Sequence, residues 1–148
     1  MANYAENRKA KFEYEILEAF EAGLALQGPE VKSIKEGRGQ ISGAYVRFLG
    51  KELFLVGATI PAYQPANAPV TYNPARDRKL LLHAKELRYL VGKSSEQGLT
   101  LVPLRLYNKK AQIKLEFALA KGKKRKDKRE TIRKRDTERD TNRELKRL

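Results

Sequence analysis
From Phe12 to Leu26 the apolar positions Phe12, Tyr14, Ile16, Phe20, Ala22, Leu24 and Leu26 alternate with Glu13, Glu15 and Glu21. Phe12, Ile16, Phe20 and Leu24 also fit a helix, but only alternation sends those glutamates to the opposite face. Gly23 disfavours a helix interior as well, so a long strand is expected. Gly28-Pro29-Glu30 then opens a short helix, with Pro29 at the first helical position and Gly37 as its stop. Ile41 to Leu49 and Leu53 to Ile60 are rich in β-branched and aromatic residues and read as strands joined by a turn at Gly50-Lys51. Four prolines between 61 and 75 (Pro61, Pro65, Pro69 and Pro74) make that stretch an irregular loop.

Asp77 to Leu82 predicts a short strand, and Ala84 to Val91 a helix ended by Gly92. Leu99 to Tyr107 is another strand, out of phase near Pro103, which suggests a bulge or an edge. After a turn at Asn108-Lys109-Lys110, the residues Ala111, Ile113, Leu115, Phe117 and Leu119 alternate with Gln112, Lys114 and Glu116. About six strands with short helices between them are the count of a small closed antiparallel barrel, a mainly β fold that leaves no exposed edge.

Charge changes this picture at the C-terminal end. The chain has 148 residues with 32 Lys plus Arg against 18 Asp plus Glu, a formal net charge of +14. Residues 121–148 hold 14 of the basic and 6 of the acidic residues, a net +8, with only Ile132, Leu145 and Leu148 as large apolar side chains. Such a segment cannot build a core. The chain therefore divides into a folded part, 1–120, and a basic tail, 121–148, with a cationic hinge at Lys121 to Lys126. In the tail Arg135, Arg139, Arg143 and Arg147 share one helical stripe, with Asp136, Asp140 and Glu144 on another. Those pairs contribute only ~0.2–0.5 kcal/mol each, so the tail is expected to be disordered alone and helical when a polyanion neutralises the arginines.

So large a cationic excess favours a polyanionic partner. No apolar run approaches the ~18–20 residues of a membrane span. Residues 1–10 are polar and lack the apolar centre of a signal peptide, so a cytoplasmic location is expected. Cysteine is absent and His83 is the only histidine, which leaves no sulfur-ligated or two-histidine metal site and at most one base for a nucleophilic triad. Gly92-Lys93-Ser94 ends like a phosphate-binding loop, but Leu87 stands where that loop needs its first glycine. His83 suits a helix start. Glu13, Glu15, Glu18 and Glu21 suit a solvated strand face. Neither an enzyme nor a cofactor is expected, and no small-molecule substrate.

Cations at loop tips and helix ends are the stronger signal: Arg76, Arg78 and Lys79 beside the proline-rich loop, Lys109 and Lys110 at a hairpin tip, and Lys32, Lys35 and Arg38 around the first short helix. Around a barrel, such positions can follow a phosphate backbone. Tyr14, Tyr45, Tyr72, Tyr89 and Tyr107 offer surfaces on which bases stack, although core packing is the simpler role for any one of them. A structural ribosomal protein with a basic extension fits these features as well as an RNA adaptor does.

The chain resembles the SmpB family, the bacterial SsrA-binding proteins. The resemblance is carried by Asn7-Arg8-Lys9-Ala10, Phe20-Glu21-Ala22-Gly23-Leu24, Glu30-Val31-Lys32-Ser33, Arg78-Lys79-Leu80-Leu81-Leu82, Lys121-Gly122-Lys123-Lys124 and Asp127-Lys128-Arg129, in the family's order. It implies an oligonucleotide-binding-type barrel of six antiparallel strands with about three helices. It also implies a monomer that grips the tRNA-like part of transfer-messenger RNA, including the elbow around its D-loop, and delivers it to stalled ribosomes. By the same resemblance Tyr14, Glu21, Lys32, Arg76, Arg78, Lys79, Leu81 and His83 meet the RNA. Gly122, Lys123, Lys124, Lys126, Asp127, Lys128 and Arg129 engage the decoding region of the small subunit and its 16S rRNA. Many members carry an aromatic or His before the Asp-Lys-Arg triplet, whereas Lys126 here offers a charge and no ring to stack.

Overall fold
The computed structural model describes residues 3–96 and 98–123. Among them the order is β1 (Asn3–Glu6), α1 (Lys9–Glu13), β2 (Tyr14–Leu24), α2 (Gly28–Lys35), β3 (Tyr45–Leu49), β4 (Glu52–Val56), β5 (Arg78–Leu81), α3 (Ala84–Ser94), β6 (Leu99–Lys109) and β7 (Gln112–Gly122), with a single 3-10 turn at Pro65–Asn67. The strands pair antiparallel in the order β1-β6-β3-β4-β5-β2-β7, and β7 returns to β6. Six strands thus close a ring, and β1 covers the second half of β6 where β3 no longer reaches it. The barrel expected from the alternation is present, with its three helices.

Inward-facing Leu53, Leu55, Leu80, Leu101, Leu115 and Phe117 fill the ring, and each is no more than 2% exposed. Ile34 of α2 and Leu90 of α3, both fully buried, plug it from the helices. A second, smaller cluster joins Ala10 of α1 to Val102, Ala118 and Ala120. Its small side chains let α1 lie close against β6 and β7.

Several boundaries differ from the sequence reading. β2 begins at Tyr14 because Lys9–Glu13 coils into α1, and neither α1 nor β1 had a periodic signature. Ile41 and Ala44 are buried but belong to a turn, with Gly43 at φ +79°, so β3 starts at Tyr45. Gly57, at φ +81°, ends β4 before Ile60. Gly92 lies inside α3, which runs to Ser94. The last hairpin turns at Lys110 and Ala111, φ 50° and 63°, and keeps Asn108 and Lys109 in β6. Two positive φ angles in a row match the twist of antiparallel strands. The phase break near Pro103 is a register shift between Pro103 and Arg105.

The expected hinge also changes. Lys121 and Gly122 are strand residues, paired with Glu15 and Tyr14 of β2. The Lys123 N–H donates to the Glu13 carbonyl at 2.9 Å, and its Nζ donates to the Lys11 carbonyl at 3.0 Å. Residues 121–123 are therefore tied to the barrel. The tail positions Lys124, Lys126, Asp127, Lys128 and Arg129 lie outside the described residues.

Candidate nucleic-acid interface
The residues singled out from the sequence fall into distinct places. Glu21, Leu81 and His83 line one groove, together with Phe20, Gly23 and Lys114. Strand pairing makes this groove. Gly23 of β2 sits opposite Leu81 of β5 on one side and Lys114 of β7 on the other. All three point outward, and a Cβ on Gly23 would lie 3.3 Å from the Leu81 Cβ and 3.6 Å from the Lys114 Nζ. The glycine thus keeps the floor open between an aliphatic and a cationic side chain. Leu81 is 51% exposed, an apolar contact offered to a partner. His83 is the residue before α3, and its carbonyl accepts from the Leu87 N–H at 3.1 Å, the helix-start role expected of it.

Glu21 is held rather than free. The Tyr107 hydroxyl donates to Oε2, and Lys109 Nζ donates to both carboxylate oxygens at 3.1 and 3.2 Å. The tyrosine hydrogen bond is the main cause that keeps the Glu21 carboxyl below its ordinary pKa. Partial burial opposes it, and Lys109 and Lys114 add to it. Tyr107 itself is buried beneath Arg105, whose guanidinium stands 4.3 Å from the ring centroid, and its hydroxyl is pushed upward by burial and by Glu21. Tyr107 is therefore a support and not a stacking surface. Lys109 and Tyr107 were legible only as a basic hairpin tip and as one tyrosine among several, because the contact to Glu21 spans 86 to 88 positions.

Arg78 corrects the sequence reading. It is fully buried, and its guanidinium is consumed inside the protein. Nε and one terminal nitrogen donate to Glu30 Oε2 at 3.1 and 2.7 Å, and Nη1 donates to the carbonyls of Ala58, Pro74 and Arg76. Arg76 flanks the same carboxylate, with Nε 3.2 Å from Oε2 and a terminal nitrogen on Oε1. Arg76 remains part-exposed, and Glu30 is 1% exposed. Burial alone would raise the Glu30 pKa, but hydrogen bonds from Arg76, the Gln27 N–H and Arg78 outweigh it and hold the carboxyl below its ordinary value. This cluster joins the first turn of α2 to β5, and so sets where Leu81 stands. The signal was available: in β5, Arg78 shares a face with Leu80, and Leu80 points inward.

Three further positions lie outside the groove. Lys79 faces solvent and pairs with Glu52 of the neighbouring β4 at 3.4 Å. Lys32, exposed on α2, stands 5.5 Å from the Tyr63 ring centroid. Tyr14 is half-buried against the small cluster of Ala10 and Val102, in a separate recess with Tyr45 and Lys9. Tyr89, another expected stacking surface, donates to Glu18 at 2.7 Å and leans on Phe20, ring centroids 6.1 Å apart. The groove is thus amphipathic: the Leu81 side chain and Phe20 beside Lys114 and the Glu21 carboxylate that Lys109 holds. Such a surface can meet base or sugar edges as well as phosphates.

Comparison with known proteins bears on what the groove belongs to. The family model described as SmpB protein matches residues 4–147. The SsrA-binding protein of Trichodesmium erythraeum is 48% identical over 142 residues, covering 96% of this chain and 91% of the relative. That of Ralstonia pickettii is 52% identical over 132 residues, 89% of each chain. In the solved structure "tmRNA-SmpB: a journey to the center of the bacterial ribosome", a chain 46% identical to this one superposes with a TM-score of 0.65, over 86% of this chain and 93% of that one. Barrel, groove and basic end are all inside the matched span, and the chain belongs to the SmpB family.

Proposed function
We infer that this chain is the RNA-binding adaptor of ribosome rescue. It binds the tRNA-like domain of transfer-messenger RNA (SsrA RNA) and delivers it to stalled ribosomes for trans-translation. The observation that carries this is the unbroken likeness to SsrA-binding proteins through both the barrel and the basic end. That likeness favours the adaptor over a structural ribosomal protein, which charge and fold alone leave open. The role is one of binding, not catalysis, and it is exercised in the cytoplasm where ribosomes work.

Within this reading the groove of Glu21, Gly23, Leu81 and His83 meets the RNA, and Arg76 and Arg78 act from behind through Glu30. Lys32, Lys79 and Tyr14 extend the contact beyond the groove. Gly122, Lys123, Lys124, Lys126, Asp127, Lys128 and Arg129 engage the small subunit and its 16S rRNA at the decoding centre, and the rest of the tail follows the empty mRNA channel. Division between barrel and tail is tested by truncation. A cut after Leu119 would remove Ala120, which is fully buried and paired with both Ile16 and Thr100. The informative cut is therefore after Lys123. That shortened chain should bind transfer-messenger RNA within about tenfold of the full chain, since phosphate and base contacts on the barrel dominate. Binding that falls to the non-specific level would place the RNA site in the tail instead.

Glu21 gives a second test. Its carboxylate fixes Lys109 and Tyr107, so Glu21→Ala should weaken specific binding by about tenfold, the equivalent of ~1.4 kcal/mol. Glu21→Gln, which still accepts from Tyr107, should be milder. Glu21→Lys puts a cation against Lys109 and Lys114 and should be worst, despite facing a polyanion. Binding curves with unlabelled competitor tRNA-like RNA check the order. Tighter specific binding by the Lys variant would refute the assignment.

A further inference from the structure
A second concave site lies away from the groove, between the first turns of α2 and the proline-rich loop that follows β4. It is walled by Pro29, Tyr63 and Tyr72 and bordered by Lys32, Gln64 and Asn67, with a volume of about 280 Å³. Small-molecule pockets usually span roughly 300–1,000 Å³, so this one admits a single ring system and little more.

Its walls are fixed from behind. The Tyr72 hydroxyl donates to the Ile60 carbonyl at 2.6 Å, next to the Glu30 cluster, which leaves the ring as a wall. The Tyr63 carbonyl accepts from Arg38 Nη1 at 3.2 Å, and Lys32 Nζ stands over the Tyr63 ring. At the polar border Asn67 Nδ2 donates to Gln64 Oε1 at 2.9 Å. Each carboxamide has spent one half on the other. The Gln64 amino group and the Asn67 carbonyl oxygen stay outside that bond, a donor and an acceptor on two residues of the same border. The edge of a nucleobase carries the complementary acceptor and donor. Lys32 at this border and Arg38 beside Tyr63, both exposed, suit the phosphates of the strand that carries such a base.

We propose that this cleft takes one unstacked nucleobase of structured RNA, stacked against Tyr63 and read on its edge by Gln64 and Asn67. The proposal rests on the RNA-binding reading above and adds to it a site separate from the Glu21 groove. It accounts for a loop that carries little secondary structure yet has its two tyrosines anchored.

Ultraviolet crosslinking of the full chain to transfer-messenger RNA, free and on stalled ribosomes, tests it when the crosslinked peptide is mapped. The expected result is a crosslink from an RNA base to Tyr63 or Tyr72 in at least one of the two complexes. In that complex Tyr63→Ala should lower affinity about tenfold, within the range seen for loss of one stacked base, and Tyr63→Phe should not. Asn67→Ala, an exposed loop change that leaves the core alone, should lower affinity several-fold with no change in melting temperature. No crosslink within residues 61–72 in either complex, a crosslink there to a ribosomal protein, or unchanged affinity for Tyr63→Ala and Asn67→Ala would each overturn the proposal. A wild-type chain that fails to bind transfer-messenger RNA at all would instead remove the functional reading itself.

Discussion

Replacing Asp127, Lys128 and Arg129 together by Ala should abolish peptide tagging on stalled ribosomes, or reduce it by more than tenfold, while leaving transfer-messenger RNA binding within about twofold. The groove proposed to meet the RNA is built from β2, β5, β7 and the start of α3, and none of the triplet belongs to those elements. The tail carries a net +8 in 28 residues (14 basic, 6 acidic), which suits a channel walled by ribosomal RNA. In the proposed function Lys128 and Arg129 would supply charge-assisted donors to phosphates, and Lys126 would add a third cation where a ring could stack. Parallel measurements of RNA affinity and tagging on the same variant check this. Tagging that survives the triple change, or RNA binding that falls with it, would contradict a division of labour between barrel and tail.

The largest expected loss of stability comes from Glu30→Ala. Arg78 has no exposed surface, and its only counter-charge among the described residues is Glu30. Removing one partner of a buried pair costs about 3–5 kcal/mol, because the other charge stays buried without compensation. That is a large part of the ~5–15 kcal/mol that holds a domain of this size, so urea unfolding should show either a much lower midpoint or a chain already unfolded. Arg78→Lys should also be severe. One ammonium cannot supply the carboxylate and the carbonyls of Ala58, Pro74 and Arg76 together. Glu30→Gln, which keeps shape and an acceptor, should fall between wild type and Ala.

The same carboxylate gives a pH dependence. Its pKa is lower folded than unfolded, so its contribution is fully present above the ordinary carboxylate range and is lost as pH falls through the folded value. Glu21 acts in the same direction. Wild type should therefore lose stability in acid, and Glu30→Gln should lose less over that window. An unfolding midpoint that stays flat for wild type from neutral pH into the acid range would contradict the role given to the cluster.

Strands β2, β6 and β7 were legible because each is long and rich in alternating apolar positions, even where a register shift breaks the phase of β2 and β6. The two short elements before them were not. Asn3–Glu6 has two non-polar positions, and Lys9–Glu13 is held as a helix by Ala10 packing on Val102, Ala118 and Ala120, contacts more than 90 positions away. Ile41 and Ile60 misled the strand ends, since both are buried yet sit beyond turns set by Gly43 and Gly57. In the interface, Glu21 and Leu81 came from the resemblance, and the fold places them together across β2 and β5. Charge was a poorer guide than alternation. Arg78 read as a cation for RNA and is a buried strut, because a guanidinium with a carboxylate and three carbonyls to meet can be satisfied inside. Lys114 and Gly23 were hidden in an ordinary strand pattern, and only the register across β2, β5 and β7 shows that they shape the groove.

The most direct measurement of the central claim is to sequence the RNA that co-purifies with the intact chain from cells, alongside the Glu21→Ala and Leu81→Ala variants. Transfer-messenger RNA should be the dominant species with the wild-type chain and should fall about tenfold with either variant, while ribosomal RNA stays near its background. A wild-type chain that carries ribosomal RNA in fixed proportion, with no enrichment of transfer-messenger RNA, would contradict the adaptor and restore a structural ribosomal role.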